Sequence, residues 1–270
     1  MSNLFDVKDK VMVITGGGGV LGRGMTEYMC SQGVKAAIID RCRDAGRNLE
    51  KELHDKGYIV KSYCSDVLDK EALEATANEI IADFGQVDIL VNAAGGNMAG
   101  ATIGPDSTIF DLEIDAFRKV VDLNLFGTVL PTMVFAKYMV EKGKGSIINI
   151  SSESALRPLT RVVGYGASKA AVTNFTKYMA TELATKFGEG LRVNAMAPGF
   201  FLTEQNRTLM TNPDGSLTAR GHSIIAHTPF GRFGTPDELF GTLHWLSSDA
   251  SKFVTGTLTV IYGGFDVFCI

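Results

Sequence analysis

The chain alternates short β-branched apolar runs with longer segments of helical periodicity. The runs fall at 11–15, 35–39, 59–63, 87–91, 146–150, 192–195 and 257–261, with helix-like segments near 21–31, 43–56, 69–83, 113–141, 165–187 and 236–248 between them. Apolar strands separated by helices predict a parallel sheet buried on both faces. Right-handed crossovers then place helices on both sides, giving a three-layer α/β sandwich whose parallel sheet has about seven strands. No repeat, low-complexity tract or Pro/Ser-rich linker interrupts the 270 residues, so 1–270 reads as one domain. Only the stretch 200–234, FFLTEQNRTLMTNPDGSLTARGHSIIAHTPFGRFG, breaks the rhythm. An insertion of that length in a compact domain predicts a substrate lid or binding loop, with a turn at Asn212-Pro213-Asp214-Gly215.

Charge and composition narrow the partners. The net charge of −4 and the absence of a basic stripe argue against nucleic acid. No uninterrupted apolar run reaches the roughly 18–20 residues that span a bilayer, and the polar start MSNLFDVKDK does not read as a signal peptide. The cytoplasm is the expected location, with no membrane partner. Cys30, Cys42, Cys64 and Cys269 form no C-x-x-C and read as reduced thiols, while His54, His222, His227 and His244 form no H-E-x-x-H. No metal is expected.

The first strand runs into TGGGGVLGRG at 15–24. In a dinucleotide fold a glycine-rich turn lets the pyrophosphate approach the amides of a helix N-terminus. Alone the run also fits a Rossmann-type methyltransferase or a plain turn. The second strand ends in Asp40, 24 residues after Gly16. An acid there can hydrogen-bond the adenosine ribose and repel a 2′-phosphate, favouring NAD(H) over NADP(H). The same position suits a helix N-cap, and the neighbouring Arg41 could accept a phosphate.

Further along stand Asn92-Ala93-Ala94-Gly95, Asn124, Ser152 and Tyr165-x-x-x-Lys169, with Ser152 thirteen residues before Tyr165. Together with Thr15-Gly16-x-x-x-Val20-x-Gly22, this ordered set resembles the short-chain dehydrogenases/reductases over the whole chain. The resemblance implies a single-domain Rossmann-type fold and a homotetramer formed through the segments 113–141 and 165–187. It implies cofactor contacts from Gly16, Gly18, Gly19, Val20, Leu21, Asp40, Arg41, Asp66, Val67, Asn92, Ala93, Ala94, Tyr165, Lys169, Pro198, Gly199, Phe201 and Thr203. Two positions depart from the family pattern. Val20 stands where a glycine is usual, and Asn-Ala-Ala-Gly replaces Asn-Asn-Ala-Gly. Gly16 and the helix N-terminus near Leu21 and Gly22 are therefore expected to make the close approach.

Exchange of a hydride between an alcohol and nicotinamide requires a group that exchanges the hydroxyl proton. Tyr165 can do so if its phenolate is favoured, and Lys169, one helical turn on, can lend its charge. Ser152 can polarise the substrate oxygen, and the resemblance gives Asn124 a water chain leading from Lys169. Asn124, Ser152, Tyr165 and Lys169 are thus the catalytic candidates. Within the family, AAGGNMAGATIGPD, SALRPLTRVVGYGASKAA and APGFFLTEQNRTLMTNPDGSLTARG resemble bacterial sugar-acid oxidoreductases of the D-mannonate (D-fructuronate) type. Arg157, Arg161 and Arg207 then become candidates for a carboxylate, with Asn97, Gln205 and Asn206 for sugar hydroxyls. Gluconate 5-dehydrogenase or another polyol dehydrogenase, a 3-oxoacyl-carrier-protein reductase and a non-catalytic NAD sensor are the alternatives.

Overall fold

The computed structural model describes residues 3–203 and 206–267. In chain order the main elements are β1 (Val11–Thr15), α1 (Val20–Ser31), β2 (Lys35–Asp40), α2 (Arg43–Asp55), β3 (Val60–Cys64), α3 (Lys70–Phe84), β4 (Ile89–Asn92) and α4 (Ile114–Val121). They continue with α5 (Gly127–Lys142), β5 (Gly145–Ile150), α6 (Val163–Phe187), β6 (Leu191–Pro198), α7 (Arg207–Met210), α8 (Ala219–Ala226), α9 (Phe240–Ser247) and β7 (Leu258–Ile261).

All seven strands are parallel, in the order β3-β2-β1-β4-β5-β6-β7. Side chains alternate along each strand, so β1 sends Met12 and Ile14 to one face and Val13 to the other. The first face packs on Met25 and Met29 of α1, Leu49 and Leu53 of α2, and Leu243 and Leu246 of α9. The second packs on Leu73 and Ile80 of α3, Phe135 and Met139 of α5, and Leu183 of α6. This is the three-layer sandwich that the alternation predicts. The chain order reverses between β1 and β4, opening a crevice beyond their carboxyl ends.

Two features differ from the expectation. The helical stretch 113–141 is interrupted by a π-helical turn at Asp122–Phe126. The continuous stretch Ile114–Lys142 contains an 18-residue window of mean hydropathy 1.3, long and apolar enough to cross a membrane by composition. Half of that window is buried in the protein, where it forms a core helix on the sheet. The described residues of the 200–234 stretch form α7 and α8, with single bridges Phe201↔Gly234 and Thr211↔Leu217. Its Met210 and Ile224 pack with Phe265 against Leu159, Phe200 and Leu202.

Candidate active site

The turn after β1 is built by glycines at two positions. Gly16 has φ +65°, and a Cβ there would lie 2.8 Å from the Ala94 Cα. A Cβ on Gly22 would lie 2.3 Å from the Gly16 carbonyl oxygen, so this glycine lets α1 start directly on the turn. Gly19 is the N-cap, and the first α-helical bond runs from Arg23 N–H to the Gly19 carbonyl, 2.8 Å. The N–H groups of Val20, Leu21 and Gly22 therefore have no intrahelical acceptor, and the positive end of the helix dipole faces the cleft. Val20 is 41% exposed, and its side chain leaves the turn free. The main-chain N–H of Val20 is among the free amides at the helix N-terminus that line the cleft.

These residues line a cleft of about 460 Å³, with Ile39, Asp40, Arg41, Ser65, Asp66 and Val67 at one end and Ser152, Tyr165, Pro198, Gly199, Phe201 and Thr203 at the other. Ala93 and Ala94 line its floor, their amides donating to Thr15 Oγ1 at 3.2 Å each. An amide-lined turn, an acid at the end of β2 and this volume fit an extended dinucleotide. Asp40 serves both readings of its position. Its Oδ2 accepts from Gly18 N–H (3.1 Å), its Oδ1 from Cys42 N–H (2.9 Å), and it still faces the cleft. Gly18 is set back behind Asp40 and does not line the cleft.

Below the floor runs a buried polar ladder. Asn92 Nδ2 donates to Thr132 Oγ1 (2.9 Å) and Asn149 Oδ1 (2.8 Å), and Asn149 Nδ2 donates to Thr176 Oγ1 (2.9 Å). Asn92 thus ties β4 and β5 to α5 rather than touching the cleft, the structural role that survives the change from Asn-Asn-Ala-Gly. Asn124 sits in the π-turn, fully buried. Its Nδ2 donates to the carbonyls of Gly96 (2.7 Å) and Val120 (2.8 Å), and its Oδ1 accepts from Gly96 N–H (3.1 Å). The extra residue of a π-turn re-aims a side chain inward. Gly95 lies between Asn124 and Lys169, for a Cβ there would come within 2.7 Å of Asn124 Oδ1 and 3.2 Å of Lys169 Nζ.

Ser152 ends β5 and caps the following turn, its Oγ accepting from Ser154 N–H at 3.2 Å. Ser152 and Tyr165 line the same end of the cleft. Lys169 is buried one turn further along α6, donating to the Ile150 carbonyl (2.7 Å) with Nζ 5.6 Å from the Tyr165 ring centre. Burial pushes its ammonium down to about 8. The Tyr165 phenol moves the other way. Burial raises its pKa, and the Ser152 hydrogen bond only partly opposes this. Lys169 donates to the Ile150 carbonyl and its Nζ faces the Tyr165 ring.

The substrate candidates are dispersed. Asn97 binds Thr102 Oγ1 (2.8 Å) away from the cleft. Arg157 is engaged by Asp266, through Nη2 to its carbonyl (2.7 Å) and Nε to its carboxylate (3.0 Å). Arg161 is exposed beside the 200–234 stretch, Arg207 begins α7 at the surface, and Gln205 lies outside the described residues. Asn206 lines the cleft and ties its own loop, donating to the Phe201 carbonyl and accepting from Thr203 N–H, both 2.8 Å. Sequence reasoning missed Ile39, Ser65, Gly95, Leu123, Ile150, Ser151 and Phe200 of the lining, which adjoin motif residues. It also missed Glu153, which no motif marks. Glu153 is 1% exposed, neither carboxylate oxygen has a partner among the described residues, and burial with nearby Asp266 pushes it up to about 7 against the pull of Arg157.

A parallel switch-point cleft for a dinucleotide, ending on a serine and a tyrosine with a lysine buried behind the tyrosine, defines an NAD(P)-dependent oxidoreductase acting on CH–OH groups. The family model for short chain dehydrogenases matches residues 10–214, and the chain belongs to that family. UxuB of Bacillus subtilis (strain 168), an uncharacterised oxidoreductase, is 43% identical over 265 residues, covering 95% of this chain and 94% of that protein. A crystal structure of a provisionally assigned D-mannonate oxidoreductase from Haemophilus influenza with bound NAD superposes with a TM-score of 0.92 at 37% identity, covering 98% of this chain and 97% of the other. A gluconate 5-dehydrogenase from Burkholderia cenocepacia J2315, in complex with NADP and tartrate, gives 0.86 at 30% identity, with 98% of each chain covered.

Proposed function

We propose that the chain interconverts a sugar-acid ketone and its secondary alcohol with NAD(H), D-fructuronate and D-mannonate being the preferred pair. The observation that carries the chemistry is that Ser152 and Tyr165 line one end of the cleft, with buried Lys169 facing the Tyr165 ring, and Asp40 lines the other end. The likeness to the Haemophilus protein supports the substrate, and Asp40 supports NAD(H) over NADP(H).

When bound, the nicotinamide supplies or accepts the hydride. Ser152 donates a hydrogen bond to the carbonyl oxygen and orients it. Tyr165, kept protonated by burial, gives its proton to that oxygen as the alcohol forms. Lys169 supports the phenolate left behind, and Asn124, pinned beside Gly95, holds open the route for proton return. The 200–234 stretch acts as a lid, supported by Phe201, Thr203 and Asn206 in the cleft wall. A homotetramer in the cytoplasm completes the proposal. Exposed Phe126 and Met133 on the α4–α5 stretch and Tyr178 and Phe187 on α6 support the assembly, and the free thiols of Cys30, Cys42 and Cys64 suit a reducing compartment.

Steady-state kcat/KM with NADH over a panel of hexuronates and simple ketones tests this. Fructuronate is expected to lead; turnover no faster than that of an unfunctionalised ketone would refute the substrate. Gluconate 5-dehydrogenase activity is the second reading, favoured by the likeness to the Burkholderia enzyme.

A further inference from the structure

Two exposed thiols meet behind the acid at the end of β2. Ser62 of β3 faces α2, its N–H donating to Glu50 Oε2 at 3.1 Å, and a Cβ on Gly46 would lie 3.2 Å from the Ser62 Cβ. Side chains alternate along a strand, so Cys64, two residues on, emerges on that same face at the end of β3. The N-cap of α2, where the helix begins beside that end, is Cys42. In the sheet the Cα of Cys64 stands opposite that of Asp40, two residues before Cys42. The Cys64 Sγ donates to the Arg41 carbonyl at 3.6 Å. That oxygen belongs to the peptide entering Cys42 and lies about 3 Å from the Cys42 Cα. The Cys64 sulfur is therefore within about 7 Å of that Cα.

Both cysteines line a polar cavity of about 270 Å³. Asp40 lines this cavity and the cofactor cleft alike, forming the wall between them. The wall is held from both sides, for Cys42 N–H donates to its Oδ1 (2.9 Å) and Gly18 N–H, in the glycine turn, to its Oδ2 (3.1 Å). A movement at Cys42 thus reaches the carboxylate through a single hydrogen bond. Cys42 and Cys64 are free and exposed, whereas Cys30 is buried, and burial pushes its thiol up to about 12.

We infer that Cys42 and Cys64 form a redox modification site, a reversible disulfide that weakens NADH binding by displacing Asp40. The inference rests on the reading of Asp40 as the ribose acid of the cofactor cleft and adds a control to it. The oxidant is a hydroperoxide, hydrogen peroxide being the simplest. One thiolate attacks an oxygen of the peroxide; the S–O bond forms, the O–O bond breaks, and the departing hydroxide takes up the proton of the thiol as water. The second thiol attacks the resulting sulfenic sulfur, forming the S–S bond and releasing a second water. The two sulfurs are oxidised and the two peroxide oxygens reduced, and a dithiol reverses the bond. A disulfide holds its Cα atoms about 4–7 Å apart, so the exposed Arg41–Cys42 turn must close on β3. That movement takes the Cys42 N–H from Asp40. In a reducing compartment such a bond is transient, a signal rather than a staple.

The test compares wild type, Cys64→Ser and Cys269→Ser, each fully reduced, treated with hydrogen peroxide, and reduced again with dithiothreitol. Mass spectrometry of unreduced digests maps the cross-links, and NADH fluorescence enhancement gives Kd. Oxidised wild type is expected to carry a Cys42–Cys64 link and to bind NADH at least about tenfold more weakly, with full recovery in dithiothreitol. Cys269→Ser should behave as the wild type does. Cys64→Ser should keep its affinity throughout. Absence of the 42–64 link, or a loss of affinity that persists in Cys64→Ser, would overturn the inference. If the link forms and NADH still binds normally, Asp40→Ala separates the two causes. Normal NADH binding by that variant would overturn the placement of Asp40 at the ribose, and weakened binding would overturn the coupling alone.

Discussion

Lys169→Met should make the protein more stable while destroying its activity. Lys169 is 4% exposed, and burial lowers its ammonium from 10.5 to about 8. At neutral pH the folded protein thus holds a charge that its interior disfavours, at about 3 kcal/mol for 1.36 kcal/mol per pH unit. Methionine fills the same space without the charge, but it leaves the Ile150 carbonyl without its donor, a loss of about 1 kcal/mol. The net gain is about 2 kcal/mol, or roughly 4–8 °C in Tm for a chain of this size. The sign has a pH signature. Between about 8 and 10.5 the unfolded lysine is protonated and the folded one is not, so wild-type stability rises with pH across that window. The advantage of the methionine variant should shrink over the same range. Urea unfolding of both proteins at pH 7, 8 and 9.5, followed by tryptophan fluorescence and far-UV circular dichroism, measures the gap. A variant less stable than wild type at pH 7, or a gap that does not change with pH, would refute a buried ammonium under strain.

Glu153→Gln should stabilise the protein on the alkaline side. The Glu153 carboxyl is pushed up from 4.5 to about 7, so the stability it allows below pH 4.5 is lost as pH rises to about 7, and the amide should gain about 2 kcal/mol at pH 8 in thermal unfolding. Tyr165→Phe should cut kcat by about 10²–10⁴ in stopped-flow NADH oxidation, since the proton donor is gone. In the wild type, ketone reduction should decline with alkaline pH and alcohol oxidation should climb, because the raised phenol is the acid form that reduction uses. Asp40→Ala should lower the ratio of kcat/KM for NADH over NADPH by at least about tenfold, as the 2′-phosphate no longer meets a carboxylate. Gly22→Ala should abolish NADH fluorescence enhancement, because its methyl would lie 2.3 Å from the Gly16 carbonyl oxygen.

The sequence by itself determined the frame. Local apolar runs dictate strands, β-branched residues keep them extended, and parallel order follows from the helices between them, so the seven-stranded sandwich was legible before any coordinate. So were the residues at strand ends, since Asp40 and Pro198 close their strands and Gly16, Asp66 and Ser152 follow theirs by one or two residues, and a parallel sheet brings all such ends to one edge. What only the tertiary structure decided depends on contacts between segments remote in sequence. No local pattern tells that Asp266 takes Arg157, that Arg161 adopts a left-handed backbone, or that Glu153 is sealed in without a partner among the described residues. Protonation belongs to the same class. Tyr165 and Lys169 lie one helical turn apart in any α-helix, yet it is burial in the assembled sheet that lowers the lysine and raises the phenol.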